Sequence, residues 1–426
     1  MKTTGSLRKK ARKTAYAVMR NHPSLRLAAR RTYWGMMRRR YDRLAAKQPT
    51  DAKLVFFESF QGRSMGDSPR ALYDRMLSDE RFSDFVFIWA FYDASCIPAE
   101  GLDSVRTVVV LRGTDDYFKG LAMARYIVMN MRLPEYVYPK DDQIFVQCWH
   151  GTPLKRLAND IVIQTANAMN TGDELAWRYR MDSEKWTYLL SPSPFATEAL
   201  CSAFALPEEE QADTVLEIGD PGNDVLVRAR GNREARDAAA RALGVPEGKK
   251  TLLYAPTWRD DSYEPGAGYV LDYLCDMAEL KRQLGDEWVV LFRAHYFIVN
   301  QLDFEEVGDF VIDVSHVKDI NECYIAADAM VTDYSSVMFD YPNLRRPLML
   351  FVPDLDHYAS DIRGFYFDIN DVPGPLCKTT EELAQAVKDI DAYFERYGAE
   401  YDAFAERFCP WDDGAASDRV LDVLAV

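Results

Sequence analysis

Short apolar runs alternate with helical segments along most of the chain, and this alternation limits the fold more than any other feature of the sequence. Each run has the length and the boundaries of a strand buried in a parallel sheet. The alternation predicts a doubly wound α/β fold, in which ligands bind on loops beyond the carboxyl ends of the strands. The first unit begins at Lys53, and its helix is predicted to open at Pro69. Further strands are predicted at residues 85–90, 106–111, 126–129, 144–149, 188–191, 251–255, 288–292, 311–313, 329–332 and 347–352.

The same pattern divides the chain into two domains. The 426 residues are 48% hydrophobic, which is enough to bury two cores. A second series of strands begins after the segment GDPGND at residues 219–224, where a helix rich in Arg and Ala leads into it. We predict a basic extension at residues 1–50, a first Rossmann-like domain at 51–225, a second at 226–405, and a C-terminal helix at 406–426. The sequence does not assign this last helix to one of the two domains.

The basic charge is confined to one end of the chain. Residues 1–47 hold fifteen Lys or Arg and one acid, Asp42, whereas the whole chain has a net charge of −16. Aromatic and Met side chains, among them Tyr33, Trp34 and Met36, recur in this segment at loosely helical intervals. Cationic helices with such faces bind anionic lipid surfaces, so we predict a membrane-surface helix. Nucleic-acid binding, a solvated tail and packing of the apolar face on the body of the protein are the alternatives.

Several classes of protein are disfavoured by what the sequence lacks. No run of about 18 apolar residues is present, and the N-terminus has no apolar signal-peptide region. Seven scattered cysteines in a chain of this size indicate reduced thiols, and hence a cytosolic protein. Neither a Walker loop nor a GxGxxG motif occurs, which argues against an NTPase and a dinucleotide oxidoreductase.

The stretch at residues 325–351 is the strongest candidate for a ligand site. It predicts a strand, a turn, a helix and a second strand, with Asp333-Tyr334-Ser335-Ser336 in the turn. Backbone N–H groups at the start of the helix and the two serine hydroxyls suit a phosphate or pyrophosphate. The alternative is that one serine simply caps the helix.

Two of the five histidines follow predicted strands, one in each domain. His150 is placed to act as a base that takes a proton from an attacking hydroxyl. His295, beside Arg293, is placed to stabilise charge on a transferred phosphoryl group. A lone histidine is more often structural, but one at the strand ends of each domain indicates an interdomain active site. No pair has the helical spacing of metal ligands, so we predict no histidine metal site.

Arginines in two loops could grip phosphate oxygens. Arg259 follows a strand end, and Arg363 lies in a late loop. The alternative for each is a surface ion pair. Asp354-Leu355-Asp356 is similar to the two-carboxylate signature of metal-dependent nucleotide transferases, but a structural loop is the better prediction for this short match.

An ordered set of motifs resembles the CDP-glycerol glycerophosphotransferase family of teichoic acid synthesis. The resemblance covers residues 54–370 or so, and WHGTP and TDYSS are its most distinctive parts. The motifs are SF-x-G with SPRALY at 59–73, WHGTPLKRLAND at 149–160, YAPTWRDD at 254–261, FRAH at 292–295, DI-x-E at 319–322, VTDYSSVMFDY at 331–341 and RGFYFD at 363–368.

The resemblance implies two facing Rossmann-like domains, the B-type glycosyltransferase architecture, acting at the cytoplasmic face of the cell membrane as a peripheral enzyme. The first domain would bind a lipid-linked or polymeric acceptor and the second CDP-glycerol. His150 would deprotonate or orient the terminal hydroxyl of the acceptor, whose oxygen would attack the glycerol-bearing phosphorus and release CMP. The implied donor site contains His295, Thr332, Ser335, Ser336, Arg259 and Arg363, and the implied acceptor or loop-support residues are Gly151, Thr152, Lys155 and Asp333. No tightly bound cofactor is implied, and the question of Mg²⁺ stays open.

Two positions depart from the pattern of the family. Gly222 stands where the family usually has an arginine, and Ser68 stands where it tends to have an asparagine before proline. These departures leave CDP-ribitol open as the donor. A nucleotide-sugar glycosyltransferase of capsule or wall polymer synthesis is a second reading, and a non-enzymatic, membrane-bound nucleotide-binding scaffold is a third.

Overall fold

The computed structural model describes residues 22–161, 172–257, 263–264, 268–269, 274–294, 304–355 and 364–425. Two parallel sheets form the two halves of the molecule. The first half contains strands β1 Asp51–Glu58, β2 Val86–Phe91, β3 Thr107–Leu111, β4 Ala124–Met129, β5 Ile144–Gln147, β6 Tyr188–Ser191 and β7 Val215–Glu217. Its helices are α1 Pro23–Ala45, α2 Asp67–Ser78, α3 Asp115–Met123, α4 Gly172–Ser183, α5 Pro194–Phe204 and α6 Glu208–Thr214.

The second half follows directly along the chain. Its strands are β8 Lys250–Ala255, the two-residue strands β9 Tyr263–Glu264 and β10 Gly268–Tyr269, and then β11 Trp288–Phe292, β12 Val311–Asp313, β13 Ala329–Thr332, β14 Leu348–Phe351 and β15 Leu376–Cys377. Its helices are α7 Asp224–Ala229, α8 Arg233–Ala242, α9 Met277–Leu284, α10 Ile320–Ala326, α11 Val337–Asp340, α12 Thr380–Lys388 and α13 Tyr393–Phe408, followed by α14 Ala416–Leu424.

Both sheets have doubly wound strand orders. The first is β3-β2-β1-β4-β5-β6-β7 and the second is β12-β11-β8-β13-β14-β15. Every pairing in these two sheets is parallel, and the central strands are buried along most of their length, as the near-continuous apolar runs require. The predicted fold class is therefore confirmed. In such a fold the carboxyl ends of the strands lie at one edge, which positions the loops that carry the motifs.

Most predicted elements differ from the observed ones by one or two residues at an end, and two of these differences have a visible cause or consequence at the site. The fifth strand ends at Gln147 instead of 149, because Trp149 has a φ of +55° and leaves the extended conformation. The side-chain oxygen of Gln147 accepts a hydrogen bond from the Trp149 amide at 2.9 Å, which stabilises this bend. Helix α2 begins at Asp67, ahead of the predicted start at Pro69.

Helix α1 packs on the first domain. Tyr41 is only 2% exposed and lies 6.2 Å from the ring of Phe118, while Trp34 lies 5.5 Å from the ring of Trp177. For this part of the extension, the alternative that its apolar face packs on the body of the protein is correct. Trp34, which we counted toward the lipid-facing side, faces the protein, whereas Tyr33 and Met36 are exposed.

The last helix returns to the first domain. Val420, Leu421 and Leu424 of α14 are buried with the side chains that cover one face of the first sheet. The Tyr126 hydroxyl of β4 donates a hydrogen bond to the Leu424 carbonyl at 3.0 Å. The chain thus crosses between the domains twice, so α14 holds them together.

We expect Leu421→Ala to lower the free energy of unfolding by about 2–5 kcal/mol, because it leaves a cavity under the first sheet. Leu421 is 0% exposed. Urea denaturation followed by circular dichroism would measure the change. Asp422→Ala is the control, since Asp422 is exposed and its ion pair with Arg81 is worth less than about 1 kcal/mol. Equal losses for both variants would contradict the packing described for α14.

Two further observations bear on the expectations from composition. All seven cysteines lie in the described ranges and are free thiols. None of the helices in these ranges combines the length and the apolar character needed to cross a bilayer.

Candidate active site

His150 is oriented by the backbone of the neighbouring strand. It follows β5, and its Nδ1 lies 2.8 Å from the carbonyl oxygen of Asn130, which directly follows β4. Since a carbonyl oxygen only accepts hydrogen bonds, Nδ1 carries the proton and Nε2 has a free lone pair. The centre of the imidazole ring lies 4.2 Å from that of the Trp149 ring, and the two planes are tilted by 36°. This tautomer is the one that a base acting through Nε2 requires.

Burial lowers the pKa of His150, and the positive charge of Arg132 lowers it further, although the hydrogen bond to Asn130 opposes both. The ring is therefore neutral at neutral pH and can accept a proton.

We expect activity to rise with pH through the pKa of His150 and to be half-maximal below pH ~6.5, the ordinary histidine value. A lowered pKa keeps the base unprotonated to lower pH, so the acid limb moves to the acid side. The pH profile of kcat/KM would measure this, because it reports groups of the free protein. An acid limb centred above neutrality would contradict the orientation and environment given for His150.

The loop that carries His150 contacts the second domain directly. Gly151 has a φ of +125°, and a Cβ atom there would lie 3.0 Å from the Oγ of Ser336. Glycine is needed for both reasons, because other residues rarely adopt this φ and would press on the serine. The WHGTP and TDYSS motifs, which are 180 or so residues apart in sequence, therefore meet across the interdomain cleft.

The TDYSS loop is held by its first two residues. The Thr332 hydroxyl is fully buried and donates a hydrogen bond to the Ala255 carbonyl at 2.8 Å. Asp333 accepts hydrogen bonds from the amide and the hydroxyl of Thr257 at 2.9 and 2.8 Å. Thr332 thus ties β13 to β8 and its side chain does not face the cleft, so its expected role at the pyrophosphate is not favoured. Asp333 fits its expected role as a loop support.

Ser335 and Ser336 are the partly exposed residues of this loop, and Ser336 lines the cleft. Helix α11, which follows them, has only four residues before it tightens into a 3₁₀ turn at Tyr341–Leu344. Such a short helix has a small dipole, so the electrostatic argument from the sequence is weaker than expected. The hydroxyls and nearby side chains are left as the main candidates for anion contacts.

A second connection between the domains involves Lys155. It forms an isolated antiparallel β-bridge with Phe365, flanked by hydrogen bonds from Arg156 N to Gly364 O at 3.1 Å and from Tyr366 N to Leu154 O at 3.0 Å. This pairing brings the RGFYFD motif beside WHGTPLKRL. The buried Thr152 lies just before the paired segment. Lys155 and Thr152 thus belong to an interdomain support.

Asp354 behaves as the structural residue that the sequence favoured. It is buried, and the hydroxyl of Tyr334 donates a hydrogen bond to it at 3.1 Å. Its predicted partner in the two-carboxylate signature, Asp356, lies outside the described residues. Among the residues that the structure describes, no group of three or more His, Cys, Asp or Glu could hold a metal ion.

A cavity of about 210 Å³ lies between the two domains, with His150 on its wall. The first domain contributes the loops after β1, β5 and β7, and the second contributes the loop after β11, the start of α10 and the TDYSS loop. The side chains and backbone on its walls belong to Phe60, Gly66, Asp67, His150, Gly151, Asp220, Gly222, Asn223, Arg293, Lys318, Asp319, Ile320, Asn321, Tyr324, Ser336, Val337 and Asp340.

Carboxyl groups dominate one side of this cavity. Burial raises the pKa of Asp67, Asp220 and Asp319, and it raises that of Asp340 well above its ordinary range. The charges of Asp67 and Asp220 raise the pKa of Asp340 further. A raised pKa favours the protonated form of these carboxyl groups, so they can both donate and accept hydrogen bonds with the hydroxyl groups of a ligand.

The two departures from the family pattern touch each other in this wall. The Gly222 amide donates hydrogen bonds to the hydroxyl of Ser68 at 3.1 Å and to Asp220 Oδ1 at 2.8 Å. A Cβ atom at Gly222 would lie 2.9 Å from Asp67 Oδ1. Asp67 and Ser68 therefore fill the space that a side chain at position 222 would need, and an arginine there would require both residues to move.

The sequence analysis did not assign a role to Asn130 or Asp67. Asn130 holds His150 through its carbonyl, and its side-chain amide donates a hydrogen bond to Asp67 at 2.6 Å. The sequence could have indicated Asn130, because it is a polar residue directly after a buried strand, where ligand sites of this fold class lie. Asp67 has a φ of +62°, a strained conformation of the kind that clusters at functional sites, and sequence does not reveal it.

Three predicted site residues, His295, Arg259 and Arg363, lie outside the described residues. The neighbour of His295 is described: Arg293 lines the cavity, and its Nη1 donates hydrogen bonds to the carbonyls of Val314 and Val317 at 3.1 and 2.8 Å. The end of β11 therefore reaches the same cleft as His150.

Two parallel α/β domains that face each other across a cleft, with strand-end loops of both on its walls, define the B-type glycosyltransferase class of fold. A model of the family described as CDP-Glycerol:Poly(glycerophosphate) glycerophosphotransferase matches residues 40–425. The chain belongs to this family, as its motifs indicated.

Individual relatives agree with this assignment. The chain is 37% identical over 387 residues to the teichoic acid poly(glycerol phosphate) polymerase of Staphylococcus epidermidis, covering 90% of this chain and 52% of that protein. It is 34% identical over 390 residues to the teichoic acid glycerol-phosphate transferase of Staphylococcus aureus, covering 90% of this chain and 95% of that protein. The chain thus spans about half the length of the first relative and nearly all of the second.

A solved structure of the wall teichoic acid polymerase TagF has the same architecture. It superposes with a TM-score of 0.83 at 35% sequence identity, covering 100% of this chain and 98% of that one.

Proposed function

We propose that the protein transfers glycerol phosphate from CDP-glycerol to the terminal hydroxyl of a teichoic-acid-type acceptor and releases CMP. One observation carries the proposal: the His150 loop of the first domain contacts Ser336 of the second domain at the wall of one cleft. Family membership supplies the donor and the kind of acceptor.

The proposed reaction needs one base and one anion site. Nε2 of His150 removes the proton from the acceptor hydroxyl, whose oxygen attacks the glycerol-bearing phosphorus of CDP-glycerol. The new P–O bond completes a phosphodiester, and the bond from that phosphorus to the bridging oxygen breaks. CMP leaves with this oxygen. Ser335 and Ser336, with His295, Arg259 and Arg363, are the proposed contacts of the donor's pyrophosphate.

The assignment of domains follows from the same geometry. The base belongs to the first domain, so we assign the acceptor to that domain and the donor to the second. The carboxyl groups of Asp67 and Asp220 in the cavity wall can form hydrogen bonds with the hydroxyls of a polyol.

Incubation of purified protein with CDP-glycerol, and separately with CDP-ribitol, tests the function. The assay follows CMP by chromatography in the presence and absence of a short glycerol phosphate oligomer. We expect CMP from CDP-glycerol only when the oligomer is present. CMP release from CDP-ribitol but not from CDP-glycerol would identify CDP-ribitol as the donor. Release of a nucleoside diphosphate from nucleotide sugars would contradict the proposal and indicate glycosyl transfer.

We also propose that the protein acts on a lipid-linked acceptor at an anionic membrane surface, through the exposed face of α1. Leu25, Met36, Arg39 and Arg43 recur at helical spacing and are all exposed, so they form one outward stripe. A stripe of cations beside apolar side chains favours a lipid interface.

We expect the double variant Arg39→Glu with Arg43→Glu to bind anionic vesicles at least about 30-fold more weakly, since each basic residue near the surface contributes about 1 kcal/mol. Sedimentation with vesicles that contain phosphatidylglycerol would measure binding. The matched control is Arg233→Glu with Arg241→Glu, two exposed arginines of α8 in the second domain. Equal losses for both pairs would show that only overall charge matters.

A further inference from the structure

The cavity that His150 borders also has two cations on its wall, Arg293 and Lys318, and neither has a role so far. Both belong to the second domain: Arg293 follows β11, and Lys318 lies in the loop between β12 and α10. Nη1 of Arg293 donates a hydrogen bond to the carbonyl of Val317 at 2.8 Å. Since Lys318 directly follows Val317, the two cations are neighbours on one part of the wall.

The acids around these two cations do not neutralise them. Among the residues that the structure describes, no carboxylate forms an ion pair with Arg293 or Lys318, and the Lys318 ammonium donates no hydrogen bond. Asp319, the nearest acid in sequence, accepts a hydrogen bond from the Asn321 amide at 3.0 Å. Lys318 is exposed and Arg293 is partly exposed, so an anion in the cavity can reach both. Cations that line a cavity in this way favour an anionic ligand.

This pair of cations is remote from the serines that we assign to the donor's pyrophosphate. Strand β8 lies between β11 and β13, so the ends of β11 and β13 are two strand spacings, about 10 Å, apart. The hydrogen bonds of Arg293 to the loop after β12 direct its guanidinium further from Ser336. The two phosphorus atoms of a pyrophosphate share one oxygen, so a pyrophosphate at Ser336 is too short to reach Arg293. The cation pair therefore fits a different anion.

We propose that Lys318 and Arg293 bind the phosphate that links the terminal unit of the acceptor to the rest of its chain. This inference rests on the proposed function. In a glycerol phosphate chain, that phosphorus is five bonds from the oxygen that attacks, which is about 6 Å when the bonds are extended. With the attacking hydroxyl at His150, the phosphate thus lies within the same cavity, at the wall that the second domain contributes.

The size and the walls of the cavity agree with this placement. At about 210 Å³ it is smaller than the usual pocket for a whole ligand, so it suits one terminal unit and its phosphate. The carboxyl groups of Asp67 and Asp220 in its wall are partners for the remaining hydroxyl of that unit. A Cβ atom at Gly66 of the first domain would lie 3.9 Å from the Lys318 carbonyl oxygen, so Lys318 lies opposite the domain to which we assign the acceptor.

The test measures how Lys318 variants bind and use a glycerol phosphate oligomer labelled with a fluorophore at the end away from the attacking hydroxyl. For Lys318→Gln we expect the Kd from fluorescence anisotropy and the KM of the oligomer to rise about 10-fold, the effect of losing one hydrogen bond to a charged group. Lys318→Glu repels phosphate and gives a larger rise, whereas Lys318→Arg keeps the charge and stays close to the wild type. The kcat and the KM of CDP-glycerol stay unchanged, which a merely structural role would not predict.

The matched control is Lys281→Glu, which changes the same charge at an exposed position of α9, outside the cavity. Equal losses for Lys318→Glu and Lys281→Glu would overturn the inference, because only overall charge would then matter. An unchanged Kd of the oligomer in Lys318→Glu, or a rise in the KM of CDP-glycerol instead, would overturn it as well. Absence of CMP release by the wild-type protein would overturn the proposed function itself, so the two failures are distinguishable.

Discussion

His150→Ala is expected to lower kcat for CMP release by about 10²- to 10⁴-fold, the usual contribution of a positioned general base. The imidazole is fixed by the Asn130 carbonyl, is kept neutral by burial, and presents Nε2 to the cleft. Alanine removes the proton acceptor without adding bulk. The measurement is initial CMP release at saturating CDP-glycerol and acceptor.

Two further variants separate catalysis from folding. His150→Gln retains a polar side chain in the same place but has no basic nitrogen, so we expect a loss similar to that of alanine. His22→Ala removes an exposed histidine before α1 and should leave the rate unchanged. Near-normal CMP release by both His150 variants would exclude this residue as the base and would assign the proton transfer to another group.

Gly151→Ala is expected to lower kcat/KM by about 10²-fold, because a small displacement of groups that must act together has effects of this size. The substitution places a Cβ 3.0 Å from Ser336 Oγ and forces a φ of +125° on a residue that rarely adopts it. The loop then moves away from the TDYSS loop, and the base moves away from the donor site.

Gly398→Ala is the matched control for the substitution at Gly151. Gly398 lies within α13, and nothing comes within 4 Å of a Cβ placed there. Alanine is a better helix former than glycine, so this variant should be as active as the wild type and slightly more stable. If Gly151→Ala is as active as Gly398→Ala, the two loops do not need their close contact, and the interdomain account of the site is wrong.

The sequence was sufficient for features that depend on local pattern. Buried strands such as β8 and β13 are short, continuous apolar runs, so their positions and the doubly wound class followed from periodicity. His150 could be singled out because it follows such a strand, where ligand sites of this fold class lie.

Features that depend on long-range packing could not be predicted in this way. Ser68 and Gly222 were noted separately as departures, and only the folded chain shows that they touch. The polar Thr332 suggested a ligand contact, but its hydroxyl is used by a neighbouring strand. Helix α1 carries a charge pattern typical of a membrane surface, although the rings of Tyr33, Trp34 and Tyr41 all contact the first domain. The roles of His295, Arg259 and Arg363 stay predictions.

The most direct test of the central claim is the mass of the product. Wild-type protein, CDP-glycerol and a glycerol phosphate oligomer of defined length would be incubated, and the oligomer would be analysed by mass spectrometry beside the CMP released. The account predicts that the oligomer gains whole glycerol phosphate units, one for each CMP, and that His150→Ala gains none. CMP release without a gain in mass, or a gain equal to glycerol alone or to a sugar, would contradict it.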